Sequence, residues 1–230
     1  MPTLIIDIET IGEEFDKIDA LTQKELTKNI SGKDDYDEKL EEVKNELVFS
    51  PLTGEIVAIG VLDSDKEKGV VYYRSSDEVP DYDVDDVTLK VQSEEEMLKS
   101  FWEGAREYDS FVTYNGRGFD IPYIWARSAH YGIKPSVDLM TNRYLPLQRG
   151  VKHIDLMDLL SFYGAVWKKG SLHMWCRLLG IESPKSEGVA GDDVTRLFKE
   201  GKFKEIAEYN VRDIIATNEL FKKWLKFYRI

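Results

Sequence analysis

The stretch LIIDIETIG, residues 4–12, sets two carboxylates, Asp7 and Glu9, two positions apart in a run of β-branched residues that otherwise reads as a buried strand. Side chains alternate between the faces of a strand, so Asp7 and Glu9 share one face while Ile6 and Ile8 share the other. Like charges that close repel, and burial strips their hydration, at a cost of several kcal/mol unless a cation sits between them. Either the pair lies at an exposed strand end or it holds a metal ion.

Further acids sit where burial or convergence is expected. Asp120, in YNGRGFDIP, follows a strand and a glycine turn at the point where a helix begins. A carboxylate there is stabilised by the helix dipole and the unpaired amides, so taken alone Asp120 reads as a helix cap. In EYNVRDIIATNEL, Tyr209 and Asp213 are four residues apart and lie one above the other on a helix face with apolar neighbours. Taken alone, Asp213 reads as an acid at the edge of an amphipathic face.

Together, D-x-E on the first strand, N-x-x-x-F-D after a central strand and Y-x-x-x-D on a C-terminal helix occur in this order along the chain. The pattern resembles the DEDD superfamily of 3′-to-5′ exonucleases. The tyrosine four residues before the last Asp resembles the superfamily's tyrosine subgroup, since the histidine subgroup would place His where this chain has Glu208. From SLHMWCRLLGI through YNVRDIIATNELF the sequence is similar to stand-alone proteins related to the exonuclease domain of family B DNA polymerases. The resemblance covers residues 1–12 and about 51–230 and leaves out 13–47.

What the resemblance implies is an RNase H-like α/β fold, a mixed five-stranded sheet flanked by helices, in a single exonuclease domain over residues 1–230 with a helical insertion at 13–47. It implies a two-metal mechanism with Mg²⁺ or Mn²⁺. Asp7 would bridge the two ions, Glu9 and Asp213 would help hold the one that activates water, and Asp120 would bind the second, directly or through waters. Tyr209 would orient the attacking water, and Thr10, Ile11, Asn115 and Phe119 would contact the terminal nucleotides. Hydrolysis of a phosphodiester needs a water made nucleophilic and a leaving alkoxide stabilised beside an anionic phosphate, and two cations about 4 Å apart supply both. Hard carboxylate oxygens select Mg²⁺ or Mn²⁺ over zinc. The expected substrate is the 3′ end of single-stranded DNA. An exoribonuclease would share every catalytic residue, and a non-catalytic nucleic-acid module would have no physical reason to keep repelling carboxylates.

The elements that must position these residues follow from periodicity and punctuation. Pro51 and Gly54 precede a strand at 55–62, GVVYYR at 69–74 is its hairpin partner, and SFVTYNG at 110–116 is a further strand. A helix follows over DIPYIWARSAHYG with Pro122 in its first turn, and HIDLMDLLSFYG is a strand or a helix start. Ser93 and Glu96 form a capping box for a helix carrying Met97, Leu98, Phe101 and Trp102. SLHMWCRLLG and DDVTRLFKEG are helices ending at Gly180 and Gly201, and the chain from Lys202 onward is one long amphipathic helix. Residues 13–47 are charge-rich and helix-prone, with a turn at 29–34, and read as a surface insertion with a solvated face. SSDEVPDYDVDDVTLKVQ is acidic but lacks the register of a calcium loop and reads as a solvated connection.

Composition narrows the class. The net charge of −12 has the wrong sign for a protein that blankets a nucleic-acid backbone with Lys and Arg, yet suits an enzyme that grips phosphates through divalent cations. Arg149 with Lys152, Lys168 and Lys169 are the candidates for phosphate contacts outside the metals, or else scattered surface cations. The single cysteine, Cys176, reads as a packing residue, and His130, His153 and His173 have no spacing for a shared metal. Without a signal peptide or a membrane-length apolar run, the expectation is a cytoplasmic protein, and the sequence names no protein partner.

Overall fold

The computed structural model describes residues 2–32, 34–77, 79–185 and 191–229. Its elements run in the order β1 (Thr3–Gly12), α1 (Ala20–Thr27), α2 (Tyr36–Glu46), β2 (Gly54–Asp63), β3 (Lys68–Tyr73), β4 (Tyr82–Val84), β5 (Val87–Val91), α3 (Glu94–Ala105), β6 (Ser110–Thr113), α4 (Asp120–His130), β7 (Lys152–Asp155), α5 (Leu156–Leu160), α6 (Leu172–Leu179), α7 (Val194–Lys199) and α8 (Phe203–Phe227). One mixed sheet in the order β4-β5-β3-β2-β1-β6-β7 organises them. β1 is central, antiparallel to β2 and parallel to β6, which is in turn parallel to β7.

Helices cover both faces of this sheet, which is why β1 carries apolar residues on both sides. Leu4, Ile6 and Ile8 pack with Met97 and Phe101 of α3 and Ile121 and Ile124 of α4. Ile5 packs on the opposite side with Ile206, Val211 and Ile214 of α8. Each such side chain contributes about 1.5–3 kcal/mol of burial, so the alternation holds the strand's register firmly. Asp7 and Glu9 follow Ile5 on the face that α8 covers.

The sheet has seven strands where five were expected. The added pair, β4 and β5, runs through the acidic segment that reads as a solvated connection from sequence. Val87 and Leu89 are buried while the intervening Thr88 and Lys90 are half-buried, so a period of two lies beneath the acids. Asp85 and Asp86 make the two-residue turn between the strands, with Asp85 left-handed at φ 52°. Charge content masked a strand pair that extends the edge beyond β3 through parallel pairing with β5.

Helix boundaries follow the local signals. At α3, the Ser93 backbone N–H donates to Glu96 Oε2 at 2.9 Å, and Ser93 Oγ accepts the Glu96 N–H. α6 ends on left-handed Gly180, φ 65°. At 25 residues, α8 is about 37 Å long and packs across β3, β2, β1 and β6. The insertion forms α1 and α2, and no residue of α2 is buried. Its closing turn seats Leu47 against β1, where a Cβ on Gly12 would lie 2.9 Å from that of Leu47. Among the described residues no helix is long and apolar enough to cross a membrane.

Candidate active site

Three stretches of chain deliver the acids: β1, the start of α4, and α8. β1 presents Asp7 and Glu9 towards α8, and opposite Asp7 on β2 stands Gly60. A Cβ on Gly60 would lie 2.1 Å from Asn210 Oδ1 and 3.0 Å from Ile214 Cγ2, so glycine there is what lets α8 approach the sheet. In that narrow space Asn210 Nδ2 donates to Asp7 Oδ2 at 2.8 Å. The preceding residue, Tyr209, and Asp213 one turn on both project from the same helix into the site. Asp7, Glu9 and Asp213 each offer an oxygen within 4.8 Å of the others. A bulge in the β1–β2 ladder between Glu9 and Thr10 ends the regular register just beyond the acids.

Asp120 enters from the other side. It opens α4, and the Ile8 backbone N–H donates to its Oδ1 at 3.2 Å, tying it to the strand that carries Asp7 and Glu9. The turn before it is held by Asp155 at the end of β7. One Asp155 carboxylate accepts the N–H groups of Asn115 at 3.0 Å and Arg117 at 2.9 Å, and caps α5 through Met157 at 3.0 Å. Asn115 is left-handed, φ 66°, a conformation Asn tolerates better than most residues.

A cleft of about 200 Å³ gathers Asp7, Glu9, Asp120, Tyr209 and Asp213, with Asn115, Phe119, Tyr114 and Leu172 also on its walls. A larger cleft of about 1010 Å³ adjoins it through Ile8, Glu9 and Phe119 and continues past Thr10 to residues of the insertion. The insertion therefore walls a cleft beside the acids as well as presenting a solvated face. The Thr10 hydroxyl donates to Val48 O at 3.1 Å, and Ile11 packs on the α8 side of the core and lines neither cleft. Phe119 meets the Tyr123 ring edge to face at 5.4 Å.

The electrostatics are those of buried, crowded anions. Burial first, then the charge of Asp213, holds the Asp7 and Glu9 carboxyls well above the usual carboxylate range. Asp120 and Asp213 are each pushed up to about 7, chiefly by burial; hydrogen bonds act the other way on both, and the Arg212 and Lys185 charges do so on Asp213. Burial and the Asp213 charge raise the Tyr209 hydroxyl as well. Among the described residues, none of the four carboxylates is in an ion pair. Buried Asn210 Oδ1 is also without a hydrogen-bond partner. Oxygen donors this close, without an ion pair among the described residues, fit a hard divalent ion.

Two positioning residues escaped the sequence reading. Asn210 reads as one more polar residue on a long helix, and its place beside Tyr209, three before Asp213, is the only local signal. Asp155 ends a strand in HIDL much as Asp7 sits in LIID, and that parallel was the available clue.

A family model described as a predicted 3′-5′ exonuclease related to the exonuclease domain of PolB matches residues 54–229, and the chain belongs to this family. The matched stretch includes Asp120, Tyr209 and Asp213 and begins after Asp7 and Glu9. A DNA polymerase of Thermococcus litoralis is 26% identical over 185 residues, covering 74% of this chain and 10% of the polymerase. One from Methanocaldococcus jannaschii is 31% identical over 144 residues, covering 57% of this chain and 8% of the polymerase. The chain thus spans about a tenth of the length of these relatives. The family B DNA polymerase from Pyrobaculum calidifontis superposes on 99% of this chain, and 25% of its own, with a TM-score of 0.61 at 18% identity. The shared architecture is RNase H-like.

Proposed function

We propose that this chain is a metal-dependent exonuclease of the DEDD superfamily's tyrosine subgroup, removing nucleotides from the 3′ ends of single-stranded DNA in the cytoplasm. We read residues 1–230 as one exonuclease domain with 13–47 inserted. The observation that carries the reading is the convergence of Asp7, Glu9, Asp120 and Asp213 on one cleft whose described lining residues include no Lys or Arg. DNA is favoured over RNA because the relatives it resembles are DNA polymerases.

Asp7, Glu9 and Asp213 would hold one divalent ion, and Asp7 with Asp120 a second. Bound Mg²⁺ or Mn²⁺ supplies charge neutralisation at the phosphate and a more acidic attacking water. The chain's residues do the rest. Tyr209, whose raised pKa keeps it a phenol at neutral pH, positions the attacking water by a hydrogen bond and is too weakly acidic to act as its base. Asn210 holds Asp7 in one rotamer, and the Ile8 amide does the same for Asp120. Phe119 and Asn115 would hold the terminal base and sugar, a stacked base gaining about 1–3 kcal/mol.

The test is an end-labelled 3′-extended oligonucleotide incubated with Mg²⁺ or Mn²⁺. The expected result is a ladder shortening from the 3′ end, abolished by EDTA and reduced by roughly 10³-fold in Asp7→Ala and Asp213→Ala. Tyr209→Phe should cost about 10-fold or more in kcat with little change in KM. Activity that survives both Asp variants, or tight binding without cleavage, would overturn the proposal. Faster hydrolysis of an RNA strand of the same sequence would transfer the reading to an exoribonuclease.

A further inference from the structure

The chain from α5 to α6 is held rigidly beside the carboxylate cleft yet displays a large aromatic side chain to water. Phe162 and Tyr163 are both left-handed, φ 50° and 57°, an arrangement that costs L-residues and persists only when contacts enforce it. Those contacts are present. The Leu145 N–H donates to Tyr163 Oη at 3.0 Å, Trp175 Nε1 donates to Lys169 O at 2.9 Å, and the Tyr114 hydroxyl donates to Gly170 O at 3.0 Å. Tyr114 and Leu172, on either side of that last anchor, both line the carboxylate cleft. Between the anchors Trp167 is 90% exposed. Its neighbour Lys168 is exposed and Lys169 half-buried, and among the described residues neither ammonium is in an ion pair.

We propose that this loop is the binding platform for the single strand behind the scissile bond, with Trp167 stacked on a base and Lys168 and Lys169 on the flanking phosphates. The assignment rests on the exonuclease reading of the carboxylate cleft. Trp167 lies three residues before Gly170, so its Cα is within about 11 Å of the anchor at the cleft, a reach of a few nucleotides. An exposed indole beside two lysines is the combination that binds single strands with little regard to sequence. Electrostatics selects this side of the site. The larger cleft on the insertion side is walled by Glu13, Glu14, Asp16 and Glu41 against Lys44 and Lys199, and Lys44 is already paired with Glu41 at 2.7 Å. Its net negative wall repels a phosphate backbone, whereas the loop carries local positive charge on a chain of net charge −12.

Two probes separate the loop from the cleft: an oligothymidylate long enough to span both, and the p-nitrophenyl ester of thymidine 5′-phosphate, one nucleotide long. In Trp167→Ala the ratio of kcat/KM on the oligonucleotide to that on the ester should fall about 5- to 100-fold, through KM, with Trp167→Phe restoring most of it. The double variant Lys168→Gln/Lys169→Gln should lower the slope of log KM against log salt by about 1.4, the value for two phosphates of a single strand. Quenching of tryptophan fluorescence by oligothymidylate, lost in Trp167→Ala, reads the platform without catalysis. An unchanged ratio with unchanged quenching, or an equal fall on both probes, overturns the platform and leaves the exonuclease reading intact. Wild-type protein that hydrolyses neither probe overturns the exonuclease reading, and the quenching then decides the platform alone. If Trp167→Ala changes only the sedimentation of the protein, the loop is a protein-binding surface and the proposal fails.

Discussion

Glu94 and the group of Asp7, Glu9 and Asp213 are carboxylates set against opposite faces of one sheet, and the chain treats them in opposite ways. Glu94, in the first turn of α3, is 3% exposed. Arg127 of α4 grips it with Nε to Oε1 at 2.8 Å and Nη2 to Oε2 at 2.6 Å, while the Tyr131 hydroxyl and the Ile56 N–H also donate to it. Every lone pair of that carboxylate that matters is answered from within the protein. On the α8 face the acids have each other, one Asn amide and a tyrosine, and no cation in an ion pair among the described residues. The difference teaches that burial of an acid does not mark a site. What marks it is a buried acid left with a charge deficit that something from outside must supply.

The comparison breaks most readily at Arg127. Arg127→Ala strands a buried carboxylate and should cost about 3–5 kcal/mol in a urea melt, while the pair Glu94→Leu/Arg127→Met recovers most of it. A smaller and opposite response is expected on the α8 face. Saturating Mn²⁺, at 100 times its Kd, should stabilise the protein by about 2.7 kcal/mol, and Asp213→Asn should remove that gain while raising the metal-free melting temperature. The sign of the pH dependence follows from pKa values lying higher folded than unfolded. Between about 4 and 7 the folded chain binds more protons at Asp120 and Asp213, so in EDTA their contribution is intact below pH 4 and is lost as pH rises through 7. Mn²⁺ should flatten that fall, and calorimetry across this range reads both curves. The smallest effect sharpens the contrast geometrically. Gly60→Ala pushes Asn210 off Asp7 and should cost about 1–3 kcal/mol in stability together with most of the metal response, with no change in the Glu94–Arg127 pair.

Much of the frame was legible in the sequence. The period of two in LIIDIETIG put Asp7 and Glu9 on one face, the capping box started α3, and Gly180 stopped α6, because these signals are local and dictated by backbone sterics and hydrogen bonding. β4 and β5 were hidden because their exposed face and turn are so acidic that charge outweighed alternation. Asn210 and Asp155 were missed for a different reason. Each acts by hydrogen bonds to residues that are distant in sequence, Asp7 for one and Asn115 and Arg117 for the other, and a polar residue that organises a site looks from sequence like one that faces water. Trp167 is a similar case, since an exposed and a buried indole are written with the same letter.

By itself the sequence determined which side chains share a face, where helices begin and end, and that clustered acids would need a cation if they were buried together. Only the tertiary structure decided that they are. Asp7, Asp120 and Asp213 meet because β1 lies between β2 and β6, because the Ile8 amide catches Asp120, and because Gly60 leaves room for α8 to seat Asn210 on Asp7. These are packing distances between segments from about 50 to 203 residues apart, set by the volume of a missing Cβ and the register of a ladder, and no local period encodes them.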